Sequence, residues 1–395
     1  LEGSHKAHGA PLGEEIIAKA KAKLGLEAQS FYVPDDVKFT FGLMRERGEL
    51  AFKQWHKQYE NLPQITRERF DNMQNVDTSR IAYPHFELGE SMATRVSNGK
   101  ILNAISQSLE GFIGGSADLA PSNNTHLENE GDFPQGKNWH FGIREHAMGA
   151  ISNGVANYGL FLPFCATFFV FSDYMSPSVR VASLMKSKVY YIWTHDSIGV
   201  GEDGATHQPI EQLSHFRAMP NLLVFRPADG NENVACWQVS LDSAVPCAFV
   251  LSRQNLPIIV PYTSTLKEQV QKGAYVLSPA DNAAVTLMAS GSEVSLALKA
   301  SEALQAKGIV AQVVSVPCLD LLLKQPKSYR ESLSQGSKVL AIEASRGLEW
   351  YVVADYVIGM QSFGASGKGE GLFTHFGFSV EHIVEVAQQL LGTDS

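Results

Sequence analysis

The sequence has no excess of positive charge. Its 32 lysines and arginines are outnumbered by 41 aspartates and glutamates, which gives a formal net charge of −9. Surfaces that bind nucleic acids need basic side chains to neutralise phosphates, so this balance argues against a nucleic-acid partner. A local phosphate pocket is still possible, because two or three basic side chains can hold one phosphate group.

Cysteines are few, and none belongs to a Cys-x-x-Cys pair. Dispersed cysteines in a chain of 395 residues favour reduced thiols in a cytosolic compartment over a disulfide framework or a zinc site. We therefore predict a cytoplasmic protein. The cysteines are Cys165, Cys236, Cys247 and Cys318.

Long apolar runs are missing as well. The longest one, residues 158–171, is interrupted by Pro163 and Thr167 and is too short to span a bilayer. We expect no membrane partner. The chain opens without a methionine and inside what reads as a loop, so we also expect a processed or truncated piece of a longer protein.

The pattern along the chain changes near residue 81. Residues 1–80 show no α/β alternation and are predicted to be a linker and helical arm. Short apolar runs then alternate with helical segments across residues 81–260, and a second such block covers residues 265–395. Strands that alternate with helices predict a parallel sheet covered on both faces, so we expect two α/β domains.

A glycine-rich loop, residues 114–125, follows a predicted strand. Its glycines allow backbone N–H groups to approach a ligand, while Asp118 and Ser122 offer an acceptor and a donor. A tight turn with an Asx cap explains the same residues equally well. Residues 141–150 form a strand-to-helix transition with Glu145 in the first helical turn, where the helix dipole stabilises a carboxylate. A helix start with Glu145 paired to a neighbour is the simpler explanation for that segment.

Two histidines, His195 and His207, lie in a third loop with several acids, over residues 194–209. They are twelve residues apart without a metal-ligand spacing, so binding of sugar hydroxyls and phosphate is the better interpretation. Arg253 follows an apolar strand, where it could grip a phosphate or form a surface ion pair. The aromatic run over residues 168–174 is more typical of a core than of a cofactor platform.

Taken together, these segments resemble transketolase across essentially the whole chain. The form of residues 144–148, Arg-Glu-His-Ala-Met, separates the resemblance from related synthases and dehydrogenase subunits. The segments that carry the resemblance are residues 8–13, 93–95, 115–123, 142–148, 167–174, 194–208, 226–229 and 373–378.

The resemblance implies a fold and a cofactor. The fold would be two three-layer α/β/α domains: a pyrimidine module of the thiamine-diphosphate-binding fold with a mainly parallel sheet, then a smaller C-terminal domain with a mixed sheet. Glu145 would hydrogen-bond N1′ of the thiamine diphosphate pyrimidine from a dry pocket. Phe171 would stack on that ring, Phe168 and Tyr174 would complete the slot, and Asp118 would contact the cofactor or the partner subunit around it.

The resemblance also implies a reaction, the transfer of a two-carbon ketol unit between sugar phosphates in the pentose phosphate pathway. His207, with His8 beside it in the substrate channel, would assist proton transfer, and Asp203 would bind a sugar hydroxyl. The substrate phosphate would be held by Arg95, Ser122, Arg253 and His195. The active site would lie between the two subunits of a homodimer.

One expected motif is absent. Transketolases bind the cofactor diphosphate and Mg²⁺ through a Gly-Asp-Gly motif on an N-terminal domain, and no Gly-Asp-Gly occurs in this sequence. We therefore expect the N-terminal diphosphate-binding domain, with its metal ligands, to be missing. On that expectation the chain alone would bind cofactor weakly and be inactive.

Three alternatives remain open at this point. The chain could be the acceptor subunit of a split transketolase, active with a separate diphosphate-binding subunit. It could be another thiamine-diphosphate enzyme, such as a dihydroxyacetone synthase or a phosphoketolase. It could also be an interaction module that reuses the fold without catalysis.

Overall fold

A computed structural model describes residues 1–393. The chain divides into two compact units, residues 1–70 and the residues from Asp71 onward, and each is described by itself. Within the described residues, no helix combines the length and apolar character needed to cross a membrane.

The first unit is helical. Helix α1 begins with two glutamates and ends with two lysines in its last turn, which suits the helix dipole. Along α2, Phe52, Trp55 and Tyr59 form a ladder of stacked rings, with 6.0 Å and 5.5 Å between successive ring centroids. The helices that begin in this part of the chain are α1 (Glu14–Lys23), α2 (Asp35–Glu60) and α3 (Gln64–Gln74).

A six-stranded sheet, all of it parallel, is built from residues 112–251. Its strand order is β3-β2-β4-β5-β7-β6, and β1 and β8 form a separate antiparallel pair. The strands are β1 (Ser91–Met92), β2 (Phe112–Ser116), β3 (Asn138–His140), β4 (Leu162–Phe168), β5 (Tyr190–Thr194), β6 (Leu223–Phe225), β7 (Cys247–Leu251) and β8 (Leu256–Pro257). The helices of this region are α4 (Thr94–Ser108), α5 (Ala120–Asn123), α6 (Glu145–Tyr158), α7 (Ser172–Met185), α8 (Gln212–Arg217) and α9 (Gly230–Asp242).

A second sheet of five strands follows, in the order β13-β12-β10-β11-β9, and it is mixed because β9 runs antiparallel to β11. The predicted fold class, a mainly parallel sheet followed by a smaller mixed one, is confirmed. The strands are β9 (Tyr275–Ser278), β10 (Val285–Ala289), β11 (Ala311–Ser315), β12 (Lys338–Ile342) and β13 (Tyr356–Ile358). The helices are α10 (Leu266–Gln271), α11 (Glu293–Ala306), α12 (Leu319–Leu323), α13 (Lys327–Ser332), α14 (Gly369–His375) and α15 (Val380–Leu391).

The central strand β5 shows why its first four side chains are large and aromatic or aliphatic. Tyr190 and Ile192 pack into one core cluster, whereas Tyr191 and Trp193 pack into a second cluster on the other face of the sheet. Successive side chains of a strand point to opposite faces, so a strand buried on both sides needs such side chains in both directions, and the polar Thr194 comes only at its end. The first cluster continues into the five-stranded sheet through Val285 and other residues.

The parallel arrangement brings the predicted loops together. The carboxyl ends of β2, β4, β5 and β7 lie at one edge of the sheet, and the loops that follow them carry most of the predicted site residues. Open α/β sheets bind ligands outside this edge.

Candidate active site

An aromatic slot follows β4. Phe168 ends the strand, and a 3-10 turn over Phe169–Phe171 leads into α7. The rings of Phe168 and Phe171 stack with 5.8 Å between centroids and 10° between planes, and Tyr174 lies 6.2 Å from Phe171. Phe169 points the other way and stacks on Trp193 in the core. The run thus contains both core and slot residues.

His195 lies against this slot. Its imidazole stacks on Phe168 with 3.7 Å between centroids, and its side chain is 4% exposed. The backbone of His195 has φ 63, a left-handed conformation that is uncommon for a residue other than glycine. Burial, followed by the charges of Arg95, Arg253 and His207, lowers the pKa of His195 to about 3. The imidazole is therefore neutral near pH 7.

A buried chain of hydrogen bonds supports the imidazole of His195. Thr194 Oγ1 lies 2.8 Å from His195 Nδ1 and donates to Asn123 Oδ1 at 2.7 Å. Asn123 Nδ2 in turn donates to Ser116 Oγ at 3.1 Å, and that hydroxyl lies 2.7 Å from Thr125 Oγ1. These contacts join the loop after β2 to the end of β5. The sequence analysis assigned no role to Asn123 or Thr194.

Arg95 and Arg253 place positive charge near His195. We call the space bordered by Phe168, His195 and these two arginines the pocket. Arg95 lies in the first turn of α4 and donates to the backbone carbonyl of Ser122, and its Nε lies 3.5 Å from the carbonyl of Arg253. Among residues 1–393, neither arginine has a carboxylate within ion-pair distance. Burial, and then the charge of Arg253, lower the pKa of Arg95. The surface ion pair considered for Arg253 is therefore not found.

Two hydrogen bonds explain why these arginines are neighbours. The backbone N–H of Ser252, just after β7, donates to Thr94 Oγ1 at 2.7 Å. The backbone N–H of Thr94 donates to Ser252 Oγ at 3.0 Å. Because Thr94 precedes Arg95 and Ser252 precedes Arg253, this exchange brings the two arginines close enough for the charge of Arg253 to act on Arg95.

His207 completes the ring cluster. Its imidazole meets Phe171 edge to face, with 5.4 Å between centroids and 71° between planes. Its Nδ1 lies 2.9 Å from the hydroxyl of Thr206. Asp203 is exposed in the turn before it, between Gly201 and Gly204, which have φ 86 and φ 77.

The C-terminal region holds this loop in place. Gln208 Nε2 donates to the carbonyls of Gly201 at 2.8 Å and Ala365 at 2.9 Å. Ser366 Oγ donates to the carbonyl of Glu202 at 2.5 Å. Residues 365 and 366 therefore support the loop that carries Asp203 and His207, which the sequence analysis did not anticipate.

Glu145 is the first residue of α6 and is buried, with 8% of its surface exposed. Arg144 donates to the carbonyl of Phe141 at 3.0 Å. Helix α6 packs closely on α7, since a Cβ at Gly149 would lie 2.3 Å from Ser178 Oγ. This packing places the helix of Glu145 beside the helix that carries Tyr174.

The remaining predicted residues are carried by other segments of the chain. Asp118 is exposed after β2, with φ 60. Ser122 lies in α5, within reach of Arg95 as described. His8 is exposed after the 3-10 turn His5–Ala7 in the unit of residues 1–70. Within the described part of the chain, no group of three or more His, Cys, Asp or Glu side chains could hold a metal ion.

Comparison with known families gives three consecutive matches. Residues 1–81 match the transketolase thiamine diphosphate binding domain, residues 90–258 the transketolase pyrimidine binding domain, and residues 273–379 the transketolase-like C-terminal domain.

Individual relatives agree with these matches. The chain is 44% identical to a transketolase of Geobacillus stearothermophilus over 99% of its own length and 61% of the relative. A transketolase structure from Campylobacter jejuni is 51% identical with a TM-score of 0.92, covering 98% of this chain and 60% of that one. A Pichia stipitis transketolase, solved with sedoheptulose-7-phosphate, is 36% identical with a TM-score of 0.91 over 98% of this chain and 60% of that one. The chain thus spans about 61% of the length of the curated relative.

These matches correct one expectation. The prediction that the thiamine-diphosphate-binding domain is missing is wrong, because residues 1–81 match the family model of that domain. The error arose because these residues are helical. They lack both the Gly-Asp-Gly motif and the α/β alternation from which we expected to recognise that domain. The predictions that the chain is truncated, inactive alone, and without its metal-binding domain depended on that absence and are withdrawn. The match also removes the main reason for considering the acceptor subunit of a split enzyme.

Proposed function

Because the chain belongs to the transketolase family, we propose that it transfers a two-carbon ketol unit from a ketose phosphate to an aldose phosphate, with thiamine diphosphate as cofactor. One observation carries the proposal. An aromatic slot, a buried helix-start glutamate and two arginines that have no acidic partner among residues 1–393 lie at the carboxyl edge of one parallel sheet. The aromatic slot suits a flat heterocycle, the glutamate suits proton exchange with that heterocycle, and the arginines suit a phosphate.

The residues of the slot fit the aminopyrimidine of the cofactor. The stacked pair Phe168 and Phe171 offers apolar faces, with Tyr174 at the exposed end. Glu145 would hold a proton against the pyrimidine nitrogen N1′, a task that suits a carboxyl group shielded from water. When bound, thiamine diphosphate supplies a thiazolium carbon that is acidic enough to become a nucleophile. Asp118, exposed beyond β2, would contact the cofactor or a partner subunit.

The cationic side of the pocket would hold the substrate phosphate. Arg95 and Arg253 can donate several hydrogen bonds to one dianion, and Ser122 can add a hydroxyl. His195 is neutral in the free chain and would contribute a hydrogen bond rather than a charge.

Proton movement on the substrate would involve His207. Its ring lies edge-on to the slot, so it can reach a substrate that reacts there. Asp203, on the turn before it, would accept a hydrogen bond from a sugar hydroxyl. His8 remains a prediction from the sequence. Mg²⁺ would accompany the cofactor diphosphate, and we assign no metal ligand to the described residues.

We further propose that two copies of the chain associate through α6 and α7. The outer faces of these helices expose apolar side chains, including Ile151 at 44%, Leu184 at 64% and Met185 at 55%. Clustered apolar side chains of this kind on a folded surface are typical of subunit interfaces. Sedimentation at several protein concentrations tests this, and Leu184→Glu should shift the mass towards one copy. A single-copy mass for the unchanged chain would contradict it.

The activity itself is tested with the full chain, thiamine diphosphate and Mg²⁺. A ketose phosphate and an aldose phosphate are supplied, and the shortened and lengthened sugar phosphates are measured by mass spectrometry. We expect both products, and we expect Glu145→Gln to lower kcat at least about 100-fold, the range of a lost acid–base group.

A matched control separates this effect from a general loss of helix stability. Glu381 also lies in the first turn of a helix, as the second, exposed residue of α15, so Glu381→Gln removes the same charge from the first turn of another helix. Its kcat should be unchanged. Absence of both products with the unchanged chain, or equal rates for the two variants, would overturn the proposal.

A further inference from the structure

Arg226 lies between the two sheets, beside the segment that carries His195. Arg226 follows β6 and its side chain is completely buried. Its Nε and Nη2 both donate to Asp196 Oδ2, at 3.1 Å and 2.7 Å. Asp196 is the residue next to His195, and it too is buried. The guanidinium therefore grips the backbone segment that presents the pocket histidine.

The other side of Arg226 is held by the five-stranded sheet. Nη1 donates to the carbonyl of Ser290 at 3.0 Å and to Glu293 Oε2 at 2.5 Å. Gly291 lies against the guanidinium, since an added Cβ there would lie 2.7 Å from Arg226 Cζ. The guanidinium is thus packed between the loop after β10 and Asp196, with no room to swing away from either.

These hydrogen bonds to Asp196 matter because the neighbouring His195 has an unfavourable backbone conformation. Its φ of 63 lies in the left-handed region, where a side chain crowds its own backbone. Residues in such conformations keep them only when surrounding contacts hold them there. On one side Thr194 contacts the imidazole, and on the other side Asp196 is fixed by two N–H donors of Arg226. Loss of the second restraint would let His195 relax and turn its ring away from Phe168.

We propose that Arg226 is a positioning residue for His195, through which the five-stranded sheet holds the phosphate side of the pocket in shape. Arg226 does not touch the pocket contents; it acts through Asp196. The proposal rests on the proposed function only in taking phosphate as the ligand of the pocket.

A second buried arginine of the same ion network provides the matched control. Arg217 Nη1 donates to Glu343 at 2.8 Å and to Glu349 at 2.7 Å. Glu343 also lies 3.9 Å from Arg226 Nη1, so the two arginines share an acidic neighbour. Asp196 is bonded to Arg226 and not to Arg217 in the described network. Arg217→Lys therefore disturbs the same cluster without releasing Asp196.

The test compares Arg226→Lys with Arg217→Lys in the full chain labelled with ¹³C,¹⁵N-histidine. The imidazole signals of His195 are assigned from their loss in His195→Asn, and inorganic phosphate is then titrated into each protein. In Arg226→Lys we expect the His195 signals to move or broaden and the apparent Kd for phosphate to rise at least about tenfold, as expected when a ligand-binding group is misplaced. In Arg217→Lys we expect the His195 signals and the Kd of the unchanged chain.

Asp196→Asn gives a second, smaller perturbation should Arg226→Lys fail to fold. It removes the charge that holds the guanidinium and should reproduce the shift of the His195 signals. Unmoved His195 signals in both Arg226→Lys and Asp196→Asn, or equal shifts in the Arg217 and Arg226 variants, would overturn the proposal. If the unchanged chain binds no phosphate, that result counts against the proposed function, while the His195 signals still decide the role of Arg226.

Discussion

Two pairs of arginines flank the segment of His195, and they are paired in opposite ways. Arg226 and Arg217 are buried in the interior. Arg217 contacts two carboxylates, and Arg226 contacts two and lies 3.9 Å from a third. Arg95 and Arg253 lie at the pocket. Arg95 donates to the backbone carbonyls of Ser122 and Arg253, and within the described chain neither guanidinium forms an ion pair with a carboxylate. The interior pair is neutralised by acids, whereas the pocket pair is not.

The difference separates a structural use of arginine from a binding use. Buried charges are tolerated only when counter-ions and hydrogen bonds replace water, which the interior pair satisfies. Unpaired cations leave a positive field, and that field adds to burial in lowering the pKa of His195 to about 3. A bound anion would neutralise this positive potential. The four predictions below test this division.

The largest effect is expected on stability. Arg226→Met should lower the free energy of unfolding by about 3–5 kcal/mol, because it leaves Asp196 and Glu293 buried without their counter-ion. Arg253→Met should change it by no more than about 0.5 kcal/mol, since that side chain is exposed. Urea unfolding followed by circular dichroism measures both. A smaller loss for Arg226→Met than for Arg253→Met would contradict the division.

The second prediction concerns the binding of phosphate by the pocket pair. Arg253→Met should weaken the binding of inorganic phosphate by about 1.5–3 kcal/mol, the contribution of hydrogen bonds to a charged group. Isothermal calorimetry measures the affinity. Arg80→Met is the control, because Arg80 is an exposed arginine already paired with Asp77. Equal affinities for the two variants would remove the binding role assigned to Arg253.

Much of the fold could be predicted from local sequence signals. The start of α6 was predicted from Glu145, which lies in its first turn. Strand β7 was predicted as the apolar strand that precedes Arg253. The short edge strands β3 and β13 were missed, since three residues carry no periodicity.

The site could be predicted only in parts. Phe168 and His195 were identified in separate segments, and their contact follows from the adjacency of β4 and β5 in the sheet. The interior ion network was not predicted. Arg226 bonds to residues 30 and 67 positions away in sequence, so no local pattern joins the partners. Its motif was noticed only through the family resemblance, which assigned it no role.

The third prediction concerns a buried glutamate that has no arginine partner within the described part of the chain. Glu232 accepts from the hydroxyls of Tyr275 and Ser315, and burial raises its pKa to about 7. Burial acts on Glu343 in the same direction, but Arg217 and Arg226 more than offset it and hold the pKa of that carboxyl well below its usual range. The two glutamates repeat the contrast between unpaired and paired charge.

The pH dependence of stability should follow from Glu232. Its folded pKa exceeds its ordinary value of 4.5, so the folded state binds the proton more tightly, and stability falls as pH rises from 4.5 to 7. Between pH 6 and pH 7 the contribution is about 1 kcal/mol. Urea unfolding at both pH values should show that Glu232→Gln has lost this part of the slope. An unchanged slope in the variant would show that Glu232 is ionised throughout.

The smallest effect is expected where paired charges lie in water. Lys267 and Asp242 are 2.6 Å apart, closer than most pairs of the interior network, yet their side chains are 42% and 50% exposed. If distance determined the contribution of an ion pair, this one would rival Arg226 and Asp196. Because water solvates both ions before and after separation, a double-mutant cycle with Lys267→Ala and Asp242→Ala should give a coupling of only about 0.5 kcal/mol. The coupling should also shrink as salt is raised. A coupling near that of the buried pair would mean that burial does not explain why the interior ion pairs are strong.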